Sequence, residues 1–393
     1  MQRPEAALPK SPFRPLRSLA TTNKHQFRAL VEMSASRPIF FVVIAALAAA
    51  ACVARGRAPL PQPVPAHWVQ QSTGTSASLR GLSAVSRSVV WASGSGGVYL
   101  RTLDGGATWR ADTVPGATHL DFRDVQGIDA NTAYLLSAGE GPLSRIYKTN
   151  DGGRSWTMQF LNQHPRGFFD GMAFWDADNG IAFSDPVDGR FLVITTSDGG
   201  MSWRPVAPER IPPALPGEAA FAASGTGIVV QGRDNVWFGT GGGAAARVFR
   251  SSDRGRSWTV ATTPMPAGNS AGIFSLAFRD ERNGVAVGGD YLKPGDARSN
   301  VLVTRDGGQT WAVPRGTPPA GYRSAAAYLS GGPMLLAVGT SGSDYSTDGG
   351  ANWVRLDSVA YNTVSVARGS SAAWAVGPRG RMGRFAGTMS PPR

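Results

Sequence analysis

The sequence predicts an all-β protein built as one seven-bladed β-propeller. An eight-residue pattern, Ser/Thr-x-Asp-x-Gly-x-Ser/Thr/Asn-Trp, occurs six times in the 393-residue chain. Two short apolar runs precede each copy and a third leads into it. After the last copy come three more such runs and no fourth, while one run just ahead of the repeats lacks a partner. Repetition at this period, with four short strands per repeat, is the signature of propeller blades.

The copies span 102–109, 149–156, 196–203, 251–258, 304–311 and 346–353, and their tryptophans lie 47, 47, 55, 53 and 42 residues apart. In a hairpin turn of this kind the Asp carboxylate can accept backbone N–H groups, and Gly supplies positive φ. The Trp then packs on the adjoining sheet. The pairs Asp104 and Trp109, Asp151 and Trp156, Asp198 and Trp203, Asp253 and Trp258, Asp306 and Trp311, and Asp348 and Trp353 are therefore expected to be structural staples. They are not read as a series of catalytic acids.

First strands are expected at 79–85, 122–128, 169–175, 217–223, 271–278 and 322–328. Second strands are small and apolar and end in Gly or Ser, as at 90–94, 285–289 and 336–339. A seventh blade takes strands near 361–367, 373–377 and 381–385, and the run 67–71 is expected to complete it. Such closure removes two exposed sheet edges.

The repeated turn resembles the Asp-box (BNR repeat) of bacterial neuraminidases. The wider blade text, with 79–85, 90–97 and 102–109 as its first example, resembles photosystem II stability/assembly-factor-like propellers over about residues 67–387. The stretches 185–191 and 211–226 are similar to a bacterial branch of that family often labelled "oxidoreductase". The resemblance implies a non-catalytic scaffold that docks a membrane-protein intermediate during assembly. By analogy the partner here is an exported or membrane protein.

The apolar run 39–51 is too short to span a bilayer but suits the core of a signal peptide. It ends Ala49-Ala50-Ala51-Cys52, which resembles a lipobox with Cys52 as the lipidated residue, although Ala49 stands where Leu is usual. Ordinary signal-peptidase cleavage in the same alanine run is the alternative. The leader expected is 33–51, with translation starting at Met33 and 1–32 a doubtful extension. Residues 52–66 then form a proline-rich tether, 67–387 the propeller and 388–393 a tail. The protein is accordingly expected at a periplasmic or outer-membrane surface, or secreted.

The net charge is +12, of which residues 1–52 carry +5, and only four of the 39 basic residues are Lys. The basic residues are scattered, which argues against a nucleic-acid partner. A single Cys excludes a disulfide framework, and the four His residues lack metal-ligand spacing, so no metal is expected. Gly239-Thr-Gly-Gly-Gly-Ala opens no helix and reads as a blade loop, leaving no cofactor site to support an oxidoreductase. The stretch 176–180 begins like a calcium loop, but its Gly falls one position early and it reads as a turn.

A sialidase-like glycoside hydrolase, or a propeller binding anionic carbohydrate, is the alternative function. Sialidases need an arginine triad, a Tyr/Glu pair and an Asp acid/base. Their Phe-Arg-Ile-Pro signature is missing, and Arg210-Ile-Pro stands after the third repeat. Aligning the first strands nevertheless places Arg80, Arg123, Asp170, Glu218, Gly272, Arg323 and Asn362 at one level, near the channel mouth away from the repeat turns. Tyr322 and Tyr361 adjoin it, and Asp185, Asp188, Arg190 and Asp290 come from neighbouring loops. Such a ring either clamps an anionic ligand or neutralises itself.

Overall fold

The computed structural model describes residues 64–329 and 332–391. Seven antiparallel sheets stand around a central channel, and their innermost strands adjoin one another in a closed ring. Those strands are Leu79–Ala84, Phe122–Gly127, Phe169–Phe174, Ile228–Gln231, Ala271–Phe278, Ala325–Tyr328 and Thr363–Val366, for blades 1 to 7. Blade 5 has three regular strands, and a single bridge between Val303 and Ala312 stands for its fourth. The leader, Cys52 and residues 52–63 of the expected tether lie outside the described residues.

The first and last strands close the ring. His67–Gln71 pairs in register with Met382–Ala386, from His67 opposite Ala386 to Gln71 opposite Met382. The pairing extends outward, since the N–H of Ala66 and of Thr388 donate to the carbonyls of Thr388 and Val64 at 3.1 and 2.8 Å. Trp68 anchors the closure. Its ring lies 5.5 Å from that of Tyr361 and 5.4 Å from that of Phe385, and its indole N–H donates to Ser343 Oγ of blade 6 at 2.9 Å.

The core consists of seven apolar clusters, one between each pair of adjacent blades. The repeat turns join in this packing. In the first, Thr102 Oγ1 donates to Asp104 Oδ1 at 2.7 Å and accepts the N–H of Gly106 at 2.9 Å. Asp104 then takes the backbone N–H and the hydroxyl of Thr108 at 2.9 and 2.6 Å. The other five turns repeat the network, with Asn352 replacing the hydroxyl residue in the last. These bonds hold the carboxyls of Asp104 and Asp198 down at about 2.

The invariant Gly has two duties at once. Gly153 lies at φ 86°, and a Cβ there would come within 2.6 Å of the Tyr99 ring in blade 1. The following Trp156 meets the same Tyr99 edge-on at 5.0 Å. Each turn is thus also a contact between blades.

One strand expectation is corrected. The inner strand of blade 4 is Ile228–Gln231, not 217–223. The β-branched Ile-Val-Val run takes the sheet position, while the Ala-rich segment keeps a single bridge, Ala219 to Gly241, and turns into the channel.

Removing the closing anchor should be costly. Trp68→Ala is expected to lower the unfolding free energy by about 3–5 kcal/mol in urea titrations followed by circular dichroism.

Candidate functional site

The inner strands carry a repeated irregularity that builds the site. Register breaks between Leu79 and Gly81, Phe122 and Asp124, Phe169 and Gly171, and Ile273 and Ser275 leave Arg80, Arg123, Asp170 and Phe274 bulged. In blades 6 and 7 the N–H groups of Ser324 and Asn362 donate to Val338 and Val376, whose sheet partners are Ala325 and Thr363. A bulge re-aims one side chain without ending the strand. The six bulge residues line a common cup of about 390 Å³ at one end of the channel.

The cup is blind because blade 4 plugs the channel. The carbonyls of Ala222 and Ala223 accept Nη1 of Arg123 and of Arg80, each at 3.4 Å. Ser224 Oγ donates to the Ser324 carbonyl at 2.8 Å, and the Ser224 carbonyl accepts Thr363 Oγ1 at 2.9 Å. Gly225, at φ 71°, passes so close to Asp124 that a Cβ would meet Oδ1 at 2.4 Å. The Thr226 carbonyl takes the Leu276 N–H at 3.0 Å. One loop therefore touches blades 1, 2, 5, 6 and 7.

The two sides of the cup differ in chemistry. On one side Phe221 stacks on Phe274 at 3.9 Å, Tyr322 meets Phe274 edge-on at 4.8 Å, and Tyr291 stands at the rim. On the other are Arg80, Arg123, Asp170 and Asp185. Arg123 Nε is paired with Asp121 Oδ2 at 2.8 Å, whereas Arg80 has no carboxylate partner among the described residues. Burial, then the neighbouring Arg123, lowers the pKa of Arg80.

Asp170 is 4% exposed, and its Oδ2 has no hydrogen-bond partner among the described residues. Burial, and next the Asp185 charge, push its pKa well above the usual carboxylate range. Burial also raises Asp185, to about 6, although Oδ1 accepts the Ala220 N–H at 2.7 Å. Asp124, beneath the plug, is pushed up to about 7 by burial against the Met172 and Val125 N–H groups that hold it.

The structure thus gathers Arg80, Arg123, Asp170, Asp185 and Asn362 of the expected ring and places the rest elsewhere. Glu218 is wholly buried in blade 4, taking Arg247 Nε at 2.9 Å, Thr240 Oγ1 at 2.6 Å and the Leu215 N–H at 2.8 Å. Arg323 is buried in an ion pair with Asp344, one residue before the lining position. Gly272 likewise lies two residues before Phe274. A bulge adds a residue without changing the hydrophobic pattern, so alignment by pattern slips there.

The loop residues do not converge on the cup. Asp188 pairs with Arg166 at the surface, Arg190 donates to the Ile211 carbonyl, and Asp290 faces Lys293 at 3.6 Å. Tyr322 lines the cup, but Tyr361 is buried in blade 7, where its hydroxyl accepts Gln70 Nε2 at 2.6 Å. Phe168, Phe221, Phe274, Tyr291 and Ser324 were not anticipated. The plug had one signal, the 55-residue interval between Trp203 and Trp258, the longest of the five.

No family model matches the chain. Over 202 residues it is 25% identical to the photosystem II assembly lipoprotein Ycf48 of Picosynechococcus sp., a match covering 50% of this chain and 49% of that protein. The chain thus spans about half the length of the curated relative it matches. The structure of a Ycf48 bound to a D1 peptide matches with a TM-score of 0.58 at 16% identity, over 84% of this chain and 99% of that one. Ycf48 from Cyanidioschyzon merolae matches with a TM-score of 0.56 at 18% identity, over 81% and 98%. The resemblance to photosystem II assembly-factor propellers and the all-β propeller fold both stand on these findings.

The buried acids set a pH dependence of stability. A carboxyl whose pKa rises on folding stabilises fully below its unfolded value and loses that contribution as pH rises through the folded value. For Asp124 the window runs from 3.8 to about 7. Wild-type unfolding free energy is expected to fall across that range by roughly 4 kcal/mol from this residue alone. Asp124→Asn should flatten the fall, as read by urea titrations at successive pH values.

Proposed function

We propose that the chain is an exported, non-catalytic propeller scaffold whose cup receives part of an exported or membrane protein. The observation carrying this reading is the Arg80 guanidinium, without a carboxylate partner among the described residues, in a blind cup with aromatic lining, in a chain related over half its length to an assembly lipoprotein. A rigid ring with variable loops suits docking, and a solved neighbour of the same fold holds a peptide. Export rests on the apolar run 39–51, and attachment on Cys52 followed by a proline-rich tether.

The glycosidase alternative needs three arginines converging beside a tyrosine. Here Arg323 is committed to Asp344, and the Tyr361 hydroxyl is held by Gln70 inside blade 7. The residues offered for that chemistry are spent on the fold.

Cross-linking with mass spectrometry in native membranes should recover one reproducible exported or membrane protein. The double variant Arg80→Glu, Arg123→Glu should weaken that contact by about 2–5 kcal/mol. Retention of the partner by a correctly folded double variant would move docking to the outer surface. Intact-mass analysis of the membrane fraction should find a chain beginning at lipidated Cys52; an unlipidated chain starting later removes the anchor.

A further inference from the structure

Five of the six repeat turns have Gly between the Asp and the invariant Gly: Gly105, Gly152, Gly199, Gly307 and Gly349, all at φ between 67° and 77°. The turn of blade 4 has Arg254 there instead, at φ 61°. A side chain in that conformation carries a strain that Gly avoids, and backbone strain of this kind clusters at ligand clamps and other functional sites. Arg254 is firmly placed. Its Nε donates to the Arg233 carbonyl at 2.8 Å and to Asp234 Oδ1 at 3.0 Å, and its guanidinium lies 6.0 Å from the ring centre of Trp175 in blade 3. Trp175 is fixed in turn by its indole N–H, which donates to the Asn235 carbonyl at 3.1 Å.

Two further arginines join it. Arg256 stands on the other side of Gly255, which packs so closely on blade 3 that a Cβ would meet Ile181 Cδ1 at 2.6 Å and Thr195 Cγ2 at 3.8 Å. Thr195 is the cross-strand partner of Arg204. Arg204, Arg254 and Arg256 thereby line one pocket of about 210 Å³ between blades 3 and 4, together with Trp175, Thr195 and Ser197. No carboxylate lines it among the described residues. The acids of the surrounding turns are committed: Asp198 and Asp253 to their own turns, Asp176 to Asn179 and Asp234 to Arg254. Arg204 and Arg256 are exposed and have no carboxylate partner among the described residues.

We propose that this pocket binds a phosphate group. The guanidiniums supply forked, charged N–H donors to a tetrahedral oxyanion, and the Thr195 and Ser197 hydroxyls add neutral ones. Positive charge in excess, with no acid in the lining, favours a doubly charged anion. The site lies away from the cup, since Asp170 stands near one end of Phe169–Phe174 and Trp175 just beyond the other. It does not depend on the docking reading. The chain also enters the ring on this face, where the Thr388 N–H meets the Val64 carbonyl beyond the end of the third strand of blade 7. A soluble phosphate and a phospholipid headgroup are therefore both sources to be tested.

Calorimetry on the full-length protein would titrate inorganic phosphate against sodium chloride of equal ionic strength. Phosphate is expected to fill a single saturable site. Arg254→Gly, which restores the residue of the other five turns, should match wild type in circular dichroism yet weaken phosphate binding at least about tenfold. Arg204→Gln, outside any turn, should weaken it at least about threefold. Arg305→Gln, an exposed turn arginine of blade 5 that does not line the pocket, should leave affinity unchanged. Flotation with phosphatidylcholine vesicles, with and without phosphatidic acid, separates the sources. A gain on phosphatidic acid that Arg254→Gly loses marks a headgroup, and no gain marks a soluble phosphate.

Phosphate that yields no more heat than chloride overturns the proposal. So does an affinity that Arg254→Gly and Arg204→Gln leave unchanged, or one that Arg305→Gln lowers equally, which would mark unspecific attraction to net charge.

Discussion

Everything in this molecule depends on apolar contact between neighbouring blades. A four-stranded blade has two faces and cannot bury either alone, so each relies on the next around the ring. Trp91 and Tyr99 of blade 1 meet Trp156 of blade 2, and Phe183 of blade 3 stacks on Phe238 of blade 4. A ring held this way is as sound as its weakest gap. That is why His67–Gln71 and Met382–Ala386 meet in one sheet, with Trp68 reaching across to blade 6.

The repeat turn carries this dependence into sequence. Its Thr or Ser, Asp and second hydroxyl satisfy the backbone of a tight hairpin, and its Gly lets the hairpin lie against the preceding blade. Where the variable residue between Asp and Gly is Arg254 rather than Gly, the chain still takes φ 61°, an uncommon conformation for a side-chain-bearing residue. The hydrogen-bond network of the turn evidently outweighs that local cost. The same bonds leave the turn carboxylates no surplus for chemistry.

Blade number, closure and most strands were legible in the sequence because they repeat, and repetition multiplies weak signals. The inner strand of blade 4 was misread because it departs from the repeat. Ala219 to Ala223 imitates a strand in its alternation yet lacks the β-branched residues of Ile228–Gln231. The site was legible in part. Arg80, Arg123 and Asp170 follow the same spacing from their strand starts, so alignment found them together. Phe274 and Ser324 occupy the same bulge in blades whose entry differs by a residue or two. Glu218 and Arg323 were drawn in because charge beside a strand start looks alike whether it faces the channel or a partner within the sheet. Only the positions of Arg247 and Asp344 tell these apart, and those lie 29 and 21 residues away.

The loop from Ala222 to Thr226 bears on how such a protein can evolve. Propellers grow and shrink by copying whole blades, because one blade ordinarily substitutes for another. Here blade 4 supplies chain to five others, and its carbonyls and hydroxyls answer groups particular to each. A duplicate of blade 2 or blade 6 in its place would leave the Arg80 and Arg123 guanidiniums, the Thr363 hydroxyl and the Leu276 N–H without their partners. The ring is repetitive in sequence, but blade 4 cannot be exchanged for a copy of another blade without stranding those groups.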